Sequence, residues 1–157
     1  MSFTLPPEDA LLYAFRRNIV VAASAGTGKT YRLTALYVML TLGLTSMGQT
    51  DDEPLAPISP ERIVATTFSR AAAQEIAARV QAALTSISEW SEVDKPPDLA
   101  EVLNARRAVL RDPPSVAELK RRAADALTPS AGARIDTLHG LPHQIVRPPA
   151  LPLRLTP

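Results

Sequence analysis

Residues Ala22-Ala23-Ser24-Ala25-Gly26-Thr27-Gly28-Lys29-Thr30 set two glycines, a lysine and a threonine close together. Those types in that order suit the holding of a chain of phosphates. Successive backbone N–H groups of a glycine loop can turn inward on an anion. Gly26 and Gly28 tolerate positive φ and present no Cβ to obstruct the approach. Lys29 then brings a point charge to the β- and γ-phosphates, and the Thr30 hydroxyl is placed to ligate Mg²⁺. On this reading Lys29 and Thr30 are the catalytic residues. A nucleotide-phosphate and Mg²⁺ site would be walled by Ala23, Ser24, Ala25, Gly26, Thr27, Gly28, Lys29, Thr30 and Arg32. Arg32 keeps two readings, a guanidinium stacked on the base or a solvated helix charge. The motif departs from the general pattern once, with Ala23 where a first glycine is usual. The bland alternative is an ordinary loop with a chance Gly-Thr-Gly-Lys-Thr.

Such a loop works only between a strand and a helix, because the helix N-terminus supplies further unpaired N–H groups and a positive dipole end. Asn18-Ile19-Val20-Val21 is the apolar run expected to form that strand. Tyr31 to Leu44 is the helix, with Leu33, Leu36, Tyr37, Leu40 and Leu44 as the stripe expected to pack on a sheet. Tyr31 and Tyr37 read as packing residues. Pro6-Pro7 opens a short lead-in with Leu11, Leu12 and Phe15 at helical spacing. Thr45 to Pro60 reads as a surface connection.

Arg62-Ile63-Val64-Ala65-Thr66-Thr67-Phe68 reads as a buried strand of a parallel sheet. An alanine-rich helix follows, with Ser69 as its N-cap and Ile76, Val80 and Leu84 on its apolar face. The carboxyl end of a parallel strand is where α/β folds bind ligands. Thr67, Phe68, Ser69 and Arg70 sit there. Phe68 is either a core residue or a platform for a nucleobase; the hydroxyls and Arg70 are candidate phosphate contacts.

Residues 85–131 read as a helical insertion, with helices at Asp98 to Leu110 and Ser115 to Leu127, each preceded by a proline pair. Its basic residues, Arg106, Arg107, Arg111, Lys120, Arg121 and Arg122, alternate with acids and read first as a solvated face, with a DNA-facing role as the second reading. Ala133 to Asp136 is a short strand. His139 and His143 have the spacing of a metal pair on a helix, but no acid lies between them and no third ligand lies near. Residues 148–157 hold too many prolines for a regular element. The fold class is therefore α/β, a phosphate-loop fold with a parallel sheet, flanking helices and a helical insertion.

The chain has 157 residues, about one domain, and with 46% hydrophobic residues it can bury a core. A net charge of +1 neither favours nor excludes nucleic acid, since a neutral chain can carry a local basic face. The lack of cysteine excludes disulfides and thiolate metal sites. With no bilayer-length apolar run and no signal-peptide plan, a soluble cytoplasmic protein with no membrane partner is expected.

Three blocks in order resemble one family. Ala23 to Thr30 is similar to the ATP-binding loop of UvrD/Rep-type DNA helicases, in which alanine or glycine opens the motif. Thr67-Phe68-Ser69-Arg70-Ala71-Ala72-Ala73-Gln74-Glu75-Ile76 resembles their next block, and Asp136-Thr137-Leu138-His139-Gly140-Leu141 resembles the Thr-x-His-Gly block after it. The helix Tyr31 to Leu44, the Pro-rich link and Ala71 after Arg70 resemble most the RecB/AddA branch, helicase–nuclease subunits of double-strand-break repair and recombination. The resemblance covers 18–84 and 133–147. It implies a P-loop NTPase with a partial RecA-like sheet that binds MgATP and moves along single-stranded DNA, as part of an ATP-dependent DNA helicase. It implies DNA contacts at Thr67, Phe68, Ser69, Arg70, Thr137 and His139, and partner subunits of a helicase–nuclease complex. The family's adenine-reading glutamine has no counterpart, since no glutamine precedes Gln49. Nor does an apolar strand ending in Asp-Glu follow Arg147. Residues 1–157 therefore read as the N-terminal part of a helicase ATP-binding domain, unable alone to unwind DNA. Two other classes stand beside this one: a P-loop ATPase or kinase unrelated to DNA, and a non-catalytic interaction remnant.

Overall fold

The computed structural model describes residues 12–14, 18–20, 28–46, 54–91, 99–128 and 134–140. Expectations for Ala23 to Thr27, His143 and the proline-rich end fall outside these residues. The described part is mixed α/β: α1 (Lys29–Leu42), a 3₁₀ turn (Pro60–Arg62), β1 (Val64–Thr67), α2 (Arg70–Ser88), α3 (Ala100–Val109), α4 (Val116–Ala126) and β2 (Arg134–Thr137). None of the described helices is long and apolar enough to cross a membrane.

Helix α1 stops at Gly43, whose φ of 71° suits a residue without a Cβ. The N–H groups of Gly43 and Leu44 return to the carbonyls of Leu40 and Met39, and buried Leu44 packs the cap. The expected stripe is corrected by the packing. Leu33 is exposed, whereas every residue from Tyr37 to Ser46 is buried, Thr41 and Thr45 included. The reason is that α1 packs chiefly between α2 and α4 rather than on the sheet, so partners surround its C-terminal half. The start of the 45–60 connection is likewise buried. Leu55 N–H bonds Thr45 O at 2.8 Å, and Ser46 and Pro54 form an antiparallel bridge.

Strand β1 begins two residues later than its apolar run suggests. Pro60 opens a 3₁₀ turn that takes in Arg62, with Arg62 N–H on Ser59 O at 2.9 Å. Strands β1 and β2 pair in parallel, with Val64 opposite Arg134, Ala65 opposite Ile135, Thr66 opposite Asp136 and Thr67 opposite Thr137. Helix α2 covers one face of this sheet. The other face is open, with Val64 and Thr66 exposed while Ala65 is buried, so β1 is covered on one side and not on two. Asn18, Ile19 and Val20 form no strand among the described residues, and Val20 is 93% exposed. An apolar run establishes what a segment can bury; a strand also needs a partner on its edge.

Helices α2 and α4 start where their serines allow. Ser69 Oγ accepts from Ala72 N–H and Ser115 Oγ from Glu118 N–H, each replacing an acceptor the first turn lacks. Ile76, Val80 and Leu84 face the core as spaced. The segment 85–131 differs from its expected character. Leu103, Leu119 and Ala123 are fully buried in one core with Val38, Met39, Leu42, Leu84, Ile87 and Trp90. Its basic residues are not one solvated face. Arg106 is 2% exposed and donates from Nε to Leu44 O at 3.1 Å. Arg122 donates from Nη1 to Leu42 O at 2.6 Å. Arg121 does lie in solvent. It and Arg122 hold Glu118 by hydrogen bonds that pull its carboxyl down to about 2. Tyr37 is buried, which pushes its phenol up to about 12, and donates to Pro60 O at 3.4 Å.

Candidate functional site

The parallel register of the sheet decides the site. It sets Thr67 beside Thr137, and the pairing runs on through Leu138 N–H to Thr67 O at 3.0 Å. Two segments seventy residues apart in sequence thereby leave the sheet together at its carboxyl end. Between them lies a cleft of about 480 Å³, lined by Phe68, Arg70, Asp136, Thr137, His139 and Gly140. Four of the six residues singled out as nucleic-acid contacts, Phe68, Arg70, Thr137 and His139, are therefore brought to one place. The other two are adjacent: Thr67 ends β1, and Ser69 has its hydroxyl engaged as the cap of α2.

Phe68 is 92% exposed. Its ring lies outside the core, the position a stacking platform requires. Arg70, in the first turn of α2, and His139, in the turn after β2, are exposed as well. Thr137 is 8% exposed, and its hydroxyl accepts from Gly140 N–H at 3.0 Å. The cleft wall thus combines an aromatic face, a guanidinium and an imidazole on a hydrogen-bonded turn.

Asp136 and Gly140 also line the cleft, although no role falls to them from the sequence. Asp136 Oδ1 accepts from Thr137 N–H at 2.6 Å, and a Cβ on Gly140 would stand 2.5 Å from Asp136 Oδ2. Gly140 is therefore a matter of space: the carboxylate occupies the volume a side chain would need. The signal available in sequence is the adjacency of Asp136, Thr137 and Gly140 in one short block.

At the other candidate centre, Gly28 has φ 77° and its carbonyl takes the first helical bond, from Arg32 N–H at 3.0 Å. The cap residue Gly28 has no side chain to bond the first turn of α1, and that turn holds no acid. Lys29 is exposed in that first turn and Thr30 half-buried beside it. An uncapped, acid-free N-terminus with a lysine in its first turn has the charge and donor set for phosphate, and a threonine hydroxyl is a ligand type Mg²⁺ accepts. Gly28, Lys29 and Thr30 are not among the residues lining the cleft. His139 sits in the turn after β2, ahead of the helical start at Gly140, and His143 lies outside the described residues.

The chain is 36% identical over 81 residues to RecBCD enzyme subunit RecB of Escherichia coli (strain K12), covering 52% of this chain and 6% of that protein. It is 38% identical over 79 residues to an ATP-dependent helicase/nuclease subunit of Moorella thermoacetica, covering 50% of this chain and 5% of that protein. The helicase/nuclease subunit of the same name from Desulforudis audaxviator matches at 33% over 78 residues, again 50% of this chain and 6% of the relative. The chain thus matches only a small part of the length of these relatives. A family model, UvrD/REP helicase N-terminal domain, matches residues 7–153, a span that takes in α1 and both walls of the cleft. By that match the chain belongs to the UvrD/REP helicase family, through its N-terminal domain.

Proposed function

We propose that this chain forms the nucleotide-binding and strand-contacting part of an ATP-dependent DNA helicase, a P-loop NTPase of RecA-like kind working in break repair and recombination. The phosphates of ATP lie against Gly26 to Thr30, with Ala23, Ser24 and Ala25 completing the loop and Arg32 beside it. Lys29 neutralises the β- and γ-phosphates, and Thr30 would hold Mg²⁺. Single-stranded DNA crosses the cleft, with a base on Phe68, phosphates at Arg70 and His139, and polar contacts from Thr67, Ser69 and Thr137. Partner subunits of a helicase–nuclease assembly are the expected company.

The observation that carries this reading is the cleft itself. A P-loop enzyme unrelated to DNA needs residues 22–30 but gives no reason for an exposed phenylalanine, an arginine and a histidine to converge on the carboxyl end of the sheet. The test is binding of a fluorescent oligothymidine by anisotropy across a salt series. Phe68→Ala is expected to lose about 1–3 kcal/mol, as removal of a stacking aromatic does. Lys29→Ala is expected to abolish nucleotide binding while leaving the oligonucleotide bound. Equal binding by wild type and Phe68→Ala, with no salt dependence, overturns the DNA assignment.

A further inference from the structure

The two ends of α1 are held differently. Lys29, Tyr31 and Leu33 are exposed and Arg32 is half-buried at the phosphate end, whereas Tyr37 to Leu42 are all buried. The last carbonyls of a helix lack intrahelical partners. Here two of the partners come from far along the chain. Leu40 O accepts from Ile58 N–H at 3.0 Å as well as from the Gly43 cap. Leu42 O accepts from Arg122 Nη1 at 2.6 Å, and Arg122 Nε is fixed by Glu118 at 2.7 Å. Just past the helix, Leu44 O accepts from Arg106 Nε at 3.1 Å, and Arg106 Nη2 donates to Ser46 Oγ at 3.3 Å. Two guanidinium groups thus sit at the negative end of the helix dipole, where cations are favoured. One is buried, and both come from α3 and α4, the segment outside the family's three sequence blocks.

We infer that Arg122 and Arg106 are positioning residues for the phosphate end of α1. Neither lines the cleft. Thr30 lies twelve residues from Leu42, about 18 Å along a stiff helix. The C-terminal half of α1 is buried and its end is clamped, so that end bears on the helix's axial position and tilt. A shift of about 1 Å at a reacting group can cost roughly a hundredfold in rate, so a clamp this far away still bears on Lys29 and Thr30. The consequence for the site rests on the nucleotide reading above; the consequence for geometry does not.

The chain has no cysteine, so two introduced cysteines take spin labels at unique places. Leu33→Cys on α1 and Ala78→Cys on α2 are both exposed positions. Electron–electron distance measurement on the full chain is expected to give a narrow distribution that Arg122→Gln broadens or shifts by about 1 Å, the tolerance scale of an active site. Arg122→Lys, which keeps charge and a donor, is expected to restore most of the narrow distribution. In parallel, affinity for a fluorescent Mg-ADP analogue is expected to fall about tenfold in Arg122→Gln. An unchanged distribution in a folded Arg122→Gln overturns the inference. If wild type binds no nucleotide, the function reading fails and the distances still decide the clamp. Should Arg122→Gln not fold, Glu118→Gln releases the Nε end of Arg122 and is read the same way, with no change again overturning it.

Discussion

Gly28 and Gly43 bracket α1 with nearly the same backbone, φ 77° and φ 71°, but with different surroundings. Alanine at either position costs about 1–2 kcal/mol for its left-handed conformation. The less flexible unfolded chain returns about 0.4–1 kcal/mol of that. At Gly28 nothing lies within 4 Å of the added Cβ, so the account ends there, near 1 kcal/mol or below. At Gly43 the Cβ meets Arg122 Nη1 at 2.9 Å, Leu55 O at 3.0 Å and Pro57 Cδ at 3.0 Å. Leu55 is held by its N–H on Thr45 O. The guanidinium must therefore retreat from Leu42 O, which forfeits a hydrogen bond to a charged group, about 1.5–3 kcal/mol. Gly43→Ala is then expected to cost about 2–4 kcal/mol in total and Gly28→Ala about 1. Urea unfolding followed by Trp90, the single tryptophan and buried in the core, resolves the two. With a slope of about 2 kcal/mol per molar, Gly43→Ala moves the midpoint down by about 1–2 M and Gly28→Ala by about 0.5 M. Equal midpoints for the two variants would refute the argument that Arg122 closes the end of α1.

Two further outcomes follow from the same geometry. Gly140→Ala pushes the Asp136 carboxylate off Thr137 N–H and reshapes the cleft; oligonucleotide affinity is expected to fall about tenfold, roughly 1.4 kcal/mol, by anisotropy, and unchanged affinity would remove Asp136 from the wall. Glu118 has its carboxyl lowered from 4.5 to about 2 by Arg121 and Arg122, so its ionised form stabilises the fold above pH 4.5 and that stabilisation is lost as pH falls from 4.5 towards 2. The melting-temperature gap between wild type and Glu118→Gln is expected to close over that window, and a gap independent of pH contradicts the pairing.

Much of the secondary structure was legible because local chemistry dictates it. Ser69 and Ser115 cap helices where an N–H needs an acceptor, and the proline pairs mark the breaks before α3 and α4. The cleft was half legible: Phe68 and Arg70 could be singled out by type and place, Thr137 and His139 only through the family resemblance, while Asp136 and Gly140 needed the turn that brings a carboxylate under a glycine. Arg106 and Arg122 could not be told from solvated charges. Their partners Leu44 and Leu42 are 62 and 80 residues away, and a charge pattern carries no information at that separation.

Short-range sequence carried the starts of α2 and α4, and three ordered blocks carried membership of a helicase family. The helix starts are set by neighbouring residues, through serine hydroxyls that accept from first-turn N–H groups. Tertiary structure alone decided that Asn18 to Val20 stay outside the sheet, that one face of β1 is open, and that two arginines close the far end of α1. Those outcomes depend on which distant segment reaches a strand edge or an orphan carbonyl first, and such partners exist only once the chain has folded.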